Sequence, residues 1–133
     1  MTVRVTAYYG PLRGQKRYAL GSFKKDVRMN GAGKITRSGT APGIGTVASD
    51  WKVLPRGTKF RIPGCPVALG AASPKQASNL IFEVQDTGGA VKGRHVDIFA
   101  GFGDYGLETA AKINNGKSHY QIEITELAKC KNR

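Results

Sequence analysis

Regular patterning in this chain is short, and a glycine or proline interrupts it at nearly every turn. Residues 2–9 set the type. Val3, Val5, Ala7 and Tyr9 alternate with Arg4, Thr6 and Tyr8, the period of two expected of a half-buried strand, whose successive side chains leave opposite faces. Further β-patterned runs follow at residues 45–49, 59–62, 80–85, 95–99 and 119–127, with turn signals between them. Residues 104–114 break the rhythm. Leu107, Ala110, Ala111 and Asn114 recur at helical spacing, with Asp104 as the expected N-cap and Gly116 beyond the end. Six short strands with one or two short helices predict an all-β fold, a small six-stranded closed barrel, because closure removes exposed sheet edges.

At 133 residues the chain has room for one packed domain, and residues 1–133 read as a single unit. Two stretches resist assignment. Residues 10–43 hold Gly10, Gly14, Gly21, Gly31, Gly33, Gly39 and Gly43 and read as loop with short strand pieces. Residues 64–79 are mostly small, with two prolines, and read as an insertion between strands. No apolar run approaches the roughly 20 residues of a membrane span. The sequence opens directly on its first strand pattern, so the chain as given is expected to carry no signal peptide, as a mature fragment would also read.

The net charge of +12 is unevenly placed: residues 1–61 hold 13 Lys and Arg against 2 Asp and Glu, the rest 8 against 7. Such a field draws polyanions toward the N-terminal half, be they nucleic acid, anionic lipid or an acidic wall polymer. Nucleic acid is disfavoured, since the basic residues are hardly interleaved with the aromatics that stack bases. Cys65 and Cys130 lack metal-ligand spacing, so no metal site is expected. Either they stay apart, or one bridge closes a long loop for about 2–4 kcal/mol in an oxidising compartment.

Acidic residues are scarce, so their positions carry weight. Of five aspartates, Asp26 falls in the loop-rich stretch and Asp104 is read as a cap, leaving Asp50, Asp86 and Asp97 beside strand patterns. Alternation puts Asp97 on the same face as His95 and Phe99, with Val96 and Ile98 opposite. A carboxylate lining a partly apolar cleft is desolvated in its charged form, and its pKa rises toward the range of a general acid. Turn-forming aspartates at strand ends are the plainer reading of each one alone.

Taken in order, Val5-Thr6-Ala7-Tyr8, Gly45-Thr46-Val47-Ala48-Ser49-Asp50, Leu54-Pro55-Arg56-Gly57-Thr58-Lys59 and Asp86-Thr87-Gly88-Gly89-Ala90-Val91-Lys92-Gly93-Arg94-His95-Val96-Asp97-Ile98-Phe99 resemble the signature of the 3D (three-aspartate) domain. That domain occurs in the membrane-bound lytic transglycosylase A type. The resemblance runs from about residue 3 to residue 126, and its most specific part is the block from Asp86 to Phe99. It implies a six-stranded double-psi β-barrel. It also implies cleavage of the β-1,4 bond between N-acetylmuramic acid and N-acetylglucosamine in peptidoglycan, leaving 1,6-anhydromuramyl ends.

The resemblance makes Asp97 the catalytic acid and then base, with Asp86 in the same site and Asp50 at the first aspartate position. Thr6, Tyr8, Thr40 and Thr87 are candidates for hydrogen bonds to sugar hydroxyls, or else strand-packing residues. Gly88 and Gly89 either bring backbone N–H groups to the sugar or make a tight turn. His95 modulates Asp97 or belongs to a surface network, and Trp51 stacks on a sugar or packs in the core. The basic residues Arg13, Lys16, Arg17, Lys24, Lys25, Arg28, Lys34 and Arg37 attract anionic wall polymers or form a solvated face. The expected partners are peptidoglycan glycan strands, met by a monomer without cofactor outside the cytoplasmic membrane, whether extracellular, periplasmic or wall-associated. The alternative is a non-catalytic wall-binding or wall-loosening module, as in expansin-like barrels.

Overall fold

The computed structural model describes residues 1–30, 36–65 and 67–129. Gly31, Gly33, Lys34 and Cys130, and with the last the question of a bridge to Cys65, lie outside them.

The fold is mostly β with a few short helices. Its strands are β1 (Thr2–Gly10), β2 (Thr46–Ser49), β3 (Lys59–Arg61), β4 (Phe82–Asp86), β5 (His95–Phe102), β6 (His119–Gln121) and β7 (Glu123–Glu126). They form one mixed sheet in the order β6-β1-β5-β2-β4-β3-β7. At its centre β5 runs parallel to β1 and antiparallel to β2. The alternation of residues 2–9 holds: Val3, Val5, Ala7 and Tyr9 are buried together with Val47, Phe60, Phe82, Val84, Val96 and Ile98 in one core. Phe60 and Phe82 stack at 5.6 Å within it.

Six strands in a closed barrel were expected; among the described residues seven are present, in a sheet whose ladders do not close. The difference arises in residues 119–127, read as one strand. Ile122 interrupts it, with its side chain buried and its N–H donated to the Met1 carbonyl at 2.9 Å. The residues before it pair with β1 and those after it with β3, at opposite ends of the sheet.

Among the described residues the helices are α1 (Phe23–Asn30), α2 (Pro74–Ala77) and α3 (Gly103–Asn114). Two of them lie where loops were expected. In residues 64–79, Ser73 and Gln76 form a reciprocal capping box that starts α2 at Pro74. In residues 10–43, α1 buries only Asp26. That carboxylate accepts hydrogen bonds from the Tyr9 hydroxyl and from the N–H groups of Ala19 and Leu20, at 2.8 and 2.7 Å for the latter two, and so ties residues 19–30 to β1.

Helix α3 begins with Phe102 as N-cap, which supplies no side-chain bond. Asp104, expected as the cap, instead accepts from the N–H groups of Lys16 and Arg17. The helix lies close on β1 and β5, where Gly106 is required: a Cβ there would stand 2.2 Å from the Gly101 carbonyl oxygen. At its end the Asn114 amide donates to the Ala7 carbonyl at 3.0 Å and accepts from the Ala7 N–H at 2.8 Å.

Candidate active site

The parallel register of β1 and β5 sets Arg4 beside His95, Thr6 beside Asp97 and Tyr8 beside Phe99. All six belong to the alternate face that the apolar set of β1 leaves free. Thr6 Oγ1 lies 2.7 Å from Asp97 Oδ1 and 2.8 Å from His95 Nε2. The Tyr8 ring tilts against Phe99 at 5.4 Å. Its hydroxyl is buried and has no hydrogen-bond partner among the described residues.

Two adjoining clefts open over this ladder and share Asp97. One, of about 230 Å³, is lined by Tyr8, Met29, Asn30, Ala48, Asp86, Thr87, Gly88 and Asp97. The other, of about 420 Å³, runs past Arg4, Thr6, Ala90, His95 and Asn114. Met29 and Asn30, from the end of α1, line both.

Burial pushes the Asp97 carboxyl up to about 6; the negative charge of Asp86 adds to this, while the Thr6 hydrogen bond and the Arg4 charge work against it. Burial also lowers His95 below its ordinary range, assisted by Arg4 and opposed by the Ala90 carbonyl. A Tyr8 hydroxyl buried near two carboxylates titrates well above the usual tyrosine range. The Thr6 hydroxyl has one hydrogen and two neighbours. With Asp97 protonated, the carboxyl donates to Thr6, which is then free to donate to His95 Nε2 in the tautomer that leaves that nitrogen unprotonated. With Asp97 ionised, Thr6 turns its hydrogen to the carboxylate.

Asp86 ends β4, where a register shift sets it opposite Ala48 of β2, and both line the smaller cleft. Its Oδ1 accepts from the N–H groups of Arg37 and Thr87, each at 2.9 Å, and its carbonyl accepts from Trp51 Nε1 at 2.9 Å. Trp51 thus packs against the core and holds the Asp86 backbone.

The structure brings together Asp97, Asp86, Thr6, Tyr8, Thr87, Gly88 and His95. It leaves Asp50, Thr40 and Gly89 outside both cleft linings. Asp50 accepts from the N–H groups of Gly93 at 2.9 Å and Lys52 at 3.1 Å, and these bonds lower its pKa. Its carboxylate fastens the loop before β5 to the end of β2. Thr40 pairs with Thr36, hydroxyl to hydroxyl at 2.9 Å. Gly88 accepts from the Val91 N–H in a turn, and neither Gly88 nor Gly89 has positive φ.

Arg4, Met29, Asn30 and Asn114 line the clefts without having been singled out. Arg4 had a usable signal, since it shares the strand face of Thr6 and Tyr8. Asn30 closes α1, whose Phe23 and Val27 stand at helical spacing and offered a signal among the surrounding glycines, whereas Asn114 is a helix position with nothing else to mark it.

A carboxyl group whose pKa burial raises to about 6, sharing an open cleft with a second carboxylate, is an arrangement capable of general acid–base chemistry. The model of the 3D domain matches residues 45–123, more than half of the chain, and the chain belongs to this family. No curated protein sequence matches it. Among solved structures, an aspartate-to-alanine variant of the Escherichia coli lytic transglycosylase MltA in its apo-2 form is similar at 25% identity and TM-score 0.53, covering 71% of this chain and 28% of that one. MltA from E. coli is similar at 24% identity and TM-score 0.55 over the same shares. MltA with bound chitohexaose is similar at 23% identity and TM-score 0.53, covering 75% of this chain and 30% of that one. These likenesses agree with the β-rich fold. The chain spans less than a third of the MltA length.

Proposed function

We propose that the protein is a peptidoglycan-active enzyme of the lytic transglycosylase type, cleaving the β-1,4 bond between N-acetylmuramic acid and N-acetylglucosamine with Asp97 as general acid and then base. One observation carries this reading: a carboxyl group raised to about 6 shares a cleft with a second carboxylate, in a chain of the 3D family. MltA, similar in fold, is described as a lytic transglycosylase and has been solved with a bound chitohexaose.

The residues supply the steps. Protonated Asp97 gives its proton to the glycosidic oxygen as the bond from that oxygen to C1 breaks. The Asp86 charge stabilises the positive character that develops on the sugar. The muramyl C6 hydroxyl oxygen then bonds to C1, and its proton passes to the Asp97 carboxylate, restoring the acid. No water is consumed, and neither metal nor cofactor is needed. Tyr8 and Thr87 offer hydroxyls to the sugar. Under the same reading residues 1–133 act as one monomeric domain outside the cytoplasmic membrane, in extracellular, periplasmic or wall-associated positions.

Digestion of purified sacculi, with the soluble products weighed by mass spectrometry, tests the proposal. Anhydromuramyl ends are expected. Reducing ends would reassign the chemistry to hydrolysis, and retention on sacculi without any product would overturn catalysis in favour of a wall-binding module.

A further inference from the structure

Residues 1–49 contain a single acidic side chain, Asp26, and it is fully buried on its three donors. The cations of α1 are therefore uncompensated from within this stretch. Lys25 and Arg28, three residues apart and so neighbours on the helix surface, are both exposed, and neither forms an ion pair among the described residues. With Leu20 and Met29 they line a hollow of about 320 Å³. Leu20 and Met29 are 47% and 68% exposed, an unusual state for large apolar side chains standing together. Met29 also lines both clefts over Asp97, so the hollow and the clefts meet at that residue.

Two cations over an apolar floor, one residue from a sugar-sized cleft, fit a small acid with aliphatic substituents tethered to the sugar. A phosphate polymer calls instead for a track of cations, with no use for the floor. We infer that this hollow binds the carboxylate end of the short peptide carried by the muramyl residue, with Lys25 and Arg28 holding the carboxylate and Leu20 and Met29 the alanyl methyl groups. The inference rests on the glycan-cleaving reading and narrows it: the preferred substrate is peptide-bearing glycan rather than stripped glycan.

The test compares turnover of peptide-bearing glycan strands with strands stripped by an amidase, for the wild type, K25Q, R28Q and the double variant. The wild type is expected to favour the peptide-bearing strands by roughly three- to tenfold in kcat/KM, the range of two partly exposed ion pairs. In the double variant the preference should vanish through a raised KM, while the rate on stripped strands and the thermal midpoint stay unchanged. A wild type that cleaves both equally, or a double variant that keeps the preference, overturns this inference and leaves cleavage standing. Cleavage of neither substrate overturns both. Binding of a soluble glycerol-phosphate polymer that the double variant abolishes, with no peptide preference in the wild type, would assign the hollow to phosphate instead.

Discussion

Asp97 lies on β5 and Asp50 just past the end of the neighbouring β2, and their carboxyls have opposite fates. Asp97 points from the middle of β5 into a cleft, where its hydrogen-bonding neighbour is a hydroxyl and burial raises its pKa to about 6. Asp50 follows the end of β2, where two backbone N–H groups meet it and its pKa falls. Strand and loop set the difference. A mid-strand backbone has committed its N–H groups to the ladder and leaves a carboxylate undersolvated, whereas a chain turning out of a sheet has N–H groups to spare. Asp26 and Asp104 also accept from backbone N–H groups of the loop before α1, Asp26 from the Tyr9 hydroxyl as well.

The largest expected effect separates the two aspartates by activity. Asp97→Asn should lower glycan cleavage by about 10²–10⁴, the usual contribution of a positioned general acid, with folding intact. Asp50→Asn should reduce it by no more than about threefold, since Asp50 lines neither cleft. Release of soluble muropeptides from sacculi measures both. Comparable losses would break the comparison and return Asp50 to the site.

A second effect separates them by stability. Asp97 is easier to protonate folded than unfolded, so its cost to stability is absent below about pH 4, grows as pH rises, and is complete above about pH 6. Asp97→Asn should therefore be more stable than the wild type at pH 7, by roughly 1–3 kcal/mol, with the gap closing toward pH 4. Asp50 has the opposite sign: its lowered pKa stabilises the fold above the unfolded value near 4, and the benefit is lost as pH falls through the folded value. Asp50→Asn should be the less stable protein at pH 7 and approach the wild type in acid. Denaturant midpoints of the three proteins between pH 3 and pH 8 read both slopes; parallel curves would sink the assignment.

The same contrast decides what was legible in the sequence. Alternation alone placed Thr6, Tyr8, His95 and Asp97 on one side of two strands, because a period of two is a geometric property of the backbone. It could not say that Asp50 turns away, since an aspartate at a strand end matches the three-aspartate signature wherever its carboxylate points. Helix α1 was missed although Phe23 and Val27 keep helical spacing, because its eight residues sit among glycines and bury an aspartate rather than an apolar stripe. With α1 hidden, so was the wall of both clefts built by Met29 and Asn30. The break at Ile122 was equally hidden: its apolar side chain keeps the alternation of residues 119–127 while the backbone changes partners from β1 to β3.

The smallest effect sharpens the comparison from the side of Asp97 alone. The Thr6 hydroxyl is the bond that holds Asp97 down against burial and the Asp86 charge. Activity that requires protonated Asp97 should fall about tenfold per pH unit above a break near 6 in the wild type. Thr6→Val removes the hydroxyl while keeping a β-branched side chain in β1, so the carboxyl should stay protonated longer and the break should move to higher pH by up to about one unit. Thr6→Ser, which keeps the hydroxyl, should restore the wild-type break. A break that moves downward in Thr6→Val would mean that the hydroxyl supports the neutral acid, with Thr6 accepting from Asp97 and donating to His95 throughout the working range. The pH profile of kcat/KM for the two variants therefore reports which way the Thr6 hydrogen points when substrate arrives.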